Sequence, residues 1–99
     1  MFIVLLKFGS NKPDAPKHMD AHNAWIARGV EQAKFLLVGS IVPGQGGLIL
    51  VHAERRDEVE ELVNQDPFVI ENVVIAEILE VDLKHADPRL EFLTQSAIR

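Results

Sequence analysis

The sequence predicts an α+β domain of element order β-α-β-β-α-β, built as a four-stranded antiparallel sheet with two helices on one face. Three observations lead there. Four apolar, partly β-branched runs have strand length, two stretches between them carry apolar residues at helical spacing, and a Gly-rich turn separates the second and third strands. With 99 residues and 47% of them hydrophobic, the chain suits one domain around one modest core. A domain of this size buries roughly 60–70% of the surface its unfolded chain exposes.

Each element has a local cause. Phe2-Ile3-Val4-Leu5-Leu6 is apolar and ends at Gly9-Ser10-Asn11, which makes it the first strand. Pro13 and Pro16 keep the following stretch irregular or place it in the first turn of a helix. From about Lys17 to Ala33, Met19, Asn23, Ile26, Val30 and Ala33 recur at helical spacing and are expected to face the core. Lys34 to Ser40 is the second strand. Pro43 to Gly47 is a turn cluster and Leu48 to Val51 the third strand, so these two form a hairpin. Arg55 to Gln65 is a second helix with Val59, Leu62 and Val63 inward and Glu58, Glu60 and Glu61 outward. Pro67 ends it at Asp66, because a proline disfavours helical geometry at the residue before it. Val73 to Val81 is the fourth strand.

This order is the split βαβ arrangement of ferredoxin-like folds, in which right-handed crossovers place both helices on the same face of the sheet. A sheet covered on one face only should alternate apolar and polar residues, yet these strands are apolar almost throughout. The bare face therefore needs a cover, and the economical one is the same face of a second subunit about a two-fold axis, giving a homodimer. A tail from residue 83 to 99 is a lesser cover. Asp87-Pro88 starts a short helix there, with Leu90, Phe92, Leu93 and Ile98 for its apolar side.

Composition excludes several classes. The formal net charge is −5, and only Arg55 and Arg56 are adjacent among the basic residues, so no nucleic-acid partner is expected. The absence of cysteine removes disulfides and thiolate metal sites. No apolar run approaches the roughly 20 residues of a membrane-spanning helix. The apolar opening stops at Lys7 without a basic leader, so no export signal is expected and a cytoplasmic location is.

The opening Met1 to Leu6, the segment Ala21-His22-Asn23-Ala24-Trp25-Ile26, the run Lys34 to Ser40, and Asp66-Pro67-Phe68 together resemble the YCII-like family, over about residues 1–82. The resemblance implies a dimeric α+β barrel and a His–Asp active site, here His22 and Asp66. At least one relative is a dehydrochlorinase of chlorinated-aromatic breakdown. Two departures stand out: the family often carries Arg where this chain has Met19, and the tail from Lys84 falls outside the resemblance.

The residues can be weighed on their own. His18, His22 and Trp25 stand four and three apart, a stripe on the flank of the first helix. An isolated histidine there reads as a half-exposed flank residue; as half of a pair it is the side chain suited to proton transfer near neutral pH. Asp66 extends the buried stripe of the second helix at its C-terminus, where burial and the helix dipole both disfavour a negative charge unless a cation or hydrogen bond compensates. It equally fits a simple cap before Pro67. Ser40 ends the second strand and offers a hydroxyl to a ligand or to local backbone. His18 and His22 lack the HExxH pattern and a third ligand, so no metal is expected. His52 and His85 read as surface residues. Gly44 to Gly47 joins two strands without a following Lys, which makes it a turn and not a phosphate loop.

The expected function is that of a small cofactor-independent lyase or isomerase. In it His22 moves a proton on a small cyclic or aromatic molecule, Asp66 orients it, and Trp25 and Phe68 wall the pocket with Ser40 near. A binding or regulatory module without turnover, or monooxygenase-like chemistry without a cofactor, are the alternatives, because fold does not decide among them.

Overall fold

A computed structural model describes residues 1–97. Strands β1 (Phe2–Phe8), β2 (Phe35–Ile41), β3 (Gly46–Val51) and β4 (Val74–Glu80) form one sheet in the order β2-β3-β1-β4, every pair antiparallel. Helices α1 (Ala15–Glu31) and α2 (Arg56–Val63) are the two crossovers, so the ferredoxin-like order is the observed one. A one-turn helix α3 (Pro67–Ile70) precedes β4, and a further helix α4 (Glu91–Ala97) lies in the tail. Among the described residues no helix is long and apolar enough to cross a membrane.

Strand alternation sets the core. Phe2, Val4 and Leu6 of β1 pair with Val51, Ile49 and Gly47 of β3, and this face carries the buried set under the helices. Val59 and Val63 of α2, Trp25 of α1 and Phe68 of α3 complete the core. Burying each such side chain stabilises by about 1.5–3 kcal/mol. The Trp25 indole nitrogen donates to the Leu62 carbonyl at 3.0 Å and so ties α1 to the end of α2.

The inward face of α1 differs from the expected one. His22, Trp25 and Gly29 are its buried residues, while Met19 and Val30 are 41% and 51% exposed. The helix is rotated toward its histidine flank because Gly29 lets it sit directly on the Phe35 ring; a Cβ at position 29 would collide with that ring. Both stripes look alike in sequence, and the small residue at position 29 decides between them.

A register shift between Phe35 and Leu37 has a second consequence. With Leu36 as the extra residue, Phe35 and then Val38 and Ser40 point to the helix side, opposite Val51, Ile49 and Gly47. Unbroken alternation from Phe35 would have sent Ser40 to the other face. At the hairpin, Gly46 has a φ of 125° and its backbone lies against the Leu6 carbonyl, so only glycine fits.

The face away from the helices carries Ile3, Leu5, Leu48 and Leu50 half-buried, with Leu37, Ile75 and Leu79 exposed. It also carries one exposed ion pair, Lys7 to Glu77 at 3.7 Å, so it is less uniformly apolar than expected. In the tail, Asp87 caps a 3-10 turn at Pro88–Leu90 by accepting from the Arg89 amide at 2.9 Å. Leu93 is buried at 4% exposure, but Leu90 and Phe92 remain 44% exposed, against the expectation that Leu90 packs. Ile98 lies outside the described residues.

Candidate active site

His22 and Asp66 come together from different elements. Asp66 follows α2 and serves as the N-cap of α3; its Oδ1 accepts the Phe68 amide hydrogen at 2.9 Å. The same Oδ1 lies 2.7 Å from His22 Nδ1. Since Oδ1 is already an acceptor, the ring hydrogen is assigned to Nδ1, which leaves Nε2 as the free lone pair of a neutral ring. The expected dipole effect is reversed. The helix ends at Val63, two residues earlier than the spacing suggests, and Asp66 opens the next helix, where an N-terminus favours a carboxylate.

Burial is nearly complete. Asp66 is 0% exposed and His22 9%. Asp66 Oδ2 is buried with no hydrogen-bond partner among the described residues, so the imidazole and the Phe68 amide, both at Oδ1, are the groups that hold this carboxylate. Phe68 stacks on the imidazole with ring centres 3.9 Å apart and planes within 5°, and Trp25 approaches it tilted at 5.8 Å. Hydrogen bond and stack together hold the ring in one orientation.

A cavity of about 340 Å³ opens between α1 and the β1-β3-β2 side of the sheet, and His22 lines it. Ser40 and Phe68 line it as well, so three of the expected site residues share one space. Asp66 stands behind His22 rather than in the wall. Trp25 does not line the cavity: it is 3% exposed, packs edge-on against Phe35 at 4.9 Å, and is a core residue. The walls are Leu6, Phe8 and Ile49 from the sheet, Val38 from β2, and Met19 and Ile26 from α1. Asn23, which the sequence places on the core stripe, lines the cavity beside His22. A polar amide inside the apolar stripe Met19–Ile26 was the signal that this stripe faces a cavity.

Other histidines lie elsewhere. His52 is half-buried with the Phe92 ring edge-on at 6.0 Å, not a plain surface residue, and His85 is exposed. No cluster of three or more His, Cys, Asp or Glu fit to hold a metal forms among the described residues.

The model of the YCII-related domain matches residues 1–82. Among solved structures, the chain is similar to 5-chloro-2-hydroxyhydroquinone dehydrochlorinase from Burkholderia phenoliruptrix AC1100 in complex with 2,5-dihydroxybenzoquinone. The two share 19% identity at a TM-score of 0.67, over 87% of this chain and 96% of that one. At that identity the likeness establishes the fold. No curated protein matches the chain.

Proposed function

The chain belongs to the YCII-related domain family, and on that premise we propose that it is a small cofactor-independent enzyme of the lyase or isomerase type. The observation that carries this reading is the short buried hydrogen bond from His22 to Asp66 behind a mostly apolar cavity. The bond holds Nδ1–H inward, so Nε2 is the nitrogen left to a ligand. As general base, Nε2 takes a proton from an O–H or acidic C–H of a small cyclic or aromatic molecule. The freed electron pair then expels a leaving group from the adjacent carbon, chloride in a dehydrochlorination, or shifts to a neighbouring carbon that takes the proton back from Nε2–H in an isomerisation. Asp66 positions the ring and balances the imidazolium that forms. The dehydrochlorinase that shares the fold supports the lyase side of this reading.

The test is a turnover screen of chlorinated phenols, quinones and lactones with the wild-type chain and His22→Gln. Glutamine keeps a polar group of similar length but cannot accept the proton. Turnover that falls by roughly 10²–10⁴-fold with an unchanged far-UV spectrum supports the assignment; turnover that survives the substitution defeats it.

We further propose that the chain works as a homodimer joined through the open sheet face. The support is the contiguous apolar surface of Ile3, Leu5, Leu48 and Leu50 flanked by Leu37, Ile75 and Leu79. The interface should bury more than roughly 1,000 Å² in total. Sedimentation at micromolar concentration should give a dimer and Leu5→Glu a monomer. A wild-type monomer sinks the proposal.

A further inference from the structure

We propose that the His22 cavity selects uncharged ligands, taking a neutral single-ring phenol or enolisable ketone and turning away carboxylates and phosphates of the same size. The inference rests on the proton-transfer reading above and names its substrate class.

Two independent observations lead to it. The first is the lining. No lysine or arginine is among the described residues that line the cavity; apart from His22, the polar side chains there are the uncharged Asn23 and Ser40. Lys12 stands over the Phe8 ring at 4.6 Å but is not part of the wall. The second is the geometry of the pair itself. His22 Nδ1 lies 2.7 Å from the carboxylate of the fully buried Asp66, so any positive charge the ring takes on is already met by that group. The ring therefore has no unmatched charge to offer a second anion. A carboxylate entering this space would be desolvated against apolar walls without a counter-ion.

A neutral acid meets no such obstacle. A phenol's O–H bond, or a ketone's α-C–H bond, breaks with the electron pair left on the substrate, the proton forms an N–H bond at Nε2, and the charge appears only as a phenolate or enolate oxyanion beside a new imidazolium that Asp66 already balances. Net charge in the site is the same before and after transfer. Asn23 and Ser40 supply hydrogen bonds suited to a hydroxyl or carbonyl. The cavity volume of about 340 Å³ suits one ring rather than two.

The test uses 4-hydroxybenzamide and 4-hydroxybenzoate, which match in shape and differ in charge, titrated into the full chain at pH 7.5 with the His22 ring resonances followed by NMR. The amide should bind at least about tenfold more tightly than the benzoate, since an unpaired buried carboxylate is strongly disfavoured. Met19→Lys should remove or reverse that preference, because residue 19 lines the cavity at 41% exposure and can place a cation there. Equal or tighter benzoate binding that moves the His22 resonances overturns the selectivity and leaves the proton-transfer reading standing. Neither probe moving His22 overturns both. A preference that Met19→Lys leaves untouched overturns its assignment to the missing cation.

Discussion

Asp66-Pro67-Phe68 and Asp87-Pro88-Arg89 are the same local device in two settings. In each, an extended aspartate caps a short helical turn that begins with proline and accepts the amide hydrogen two residues on at 2.9 Å. Only the second neighbour differs. Asp87 lies at the surface and pairs with Arg89, two residues away on its own turn. Asp66 is enclosed and pairs with His22, 44 residues away on another helix. The dipeptide dictates the cap, and the surroundings decide whether the carboxylate beside it can serve a reaction.

Replacement by alanine should separate the two most strongly. Asp66→Ala removes a cap, about 1 kcal/mol, and leaves a buried ring nitrogen without its partner, about 1–3 kcal/mol more. Calorimetry should show a melting temperature lower by roughly ten degrees or more, at about 4–8 °C per kcal/mol for a domain of this size. Asp87→Ala should leave the main transition in place. Comparable losses at the two positions would break the comparison.

Asparagine sharpens it, because the cap survives while the charge goes. Asp66→Asn should keep the fold, yet the amide no longer requires a hydrogen on Nδ1. Nitrogen-15 spectra of the neutral ring should move from the Nδ1–H tautomer toward a mixture, and any turnover should drop with it. An unchanged tautomer would mean that the Phe68 stack, not Asp66, orients the imidazole.

The tail around Asp87 is proposed as an accessory to the domain of residues 1–82. Deleting residues 86–99 uncovers the ground beneath Leu93 and takes Phe92 from His52. The expected outcome is a smaller fall in melting temperature than Asp66→Ala gives, or a change in assembly. If neither moves, the tail has no structural role.

The smallest effect is on pH. The Arg89 side chain, and then its amide, hydrogen-bond Asp87 and hold its carboxyl below its ordinary value. A lowered folded value means that the cap's contribution is complete above the unfolded value and fades as pH falls through the folded one. The Arg89 amide resonance should keep its hydrogen-bonded position above about pH 4 and lose it only in stronger acid. Loss at higher pH would show that the carboxyl is not held down.

Much of this was legible in the residues. The four strands, two main helices and the hairpin follow from runs and turns, since strand and helix periodicities are local properties, and their order alone gives the split βαβ layout. The pairing of His22 with Asp66 was expected from family resemblance, and the cap at Asp66 from its proline. The rotation of α1 was not legible, because Met19–Ile26 and His18–Trp25 are equally good helical stripes until Gly29 meets Phe35. Nor was the position of Ser40, which depends on one extra residue in β2 and hence on how β2 pairs with β3. Trp25 read as a pocket wall and is core, because burial is settled by the elements that close over a side chain. Sequence by itself determined the elements, their order and the capping aspartates, whose causes lie within a few residues of chain. Tertiary structure alone decided which face of α1 turns inward, which strand residues see the cavity, and that one of two alike carboxylates meets an imidazole, because those depend on contacts between segments far apart in the chain.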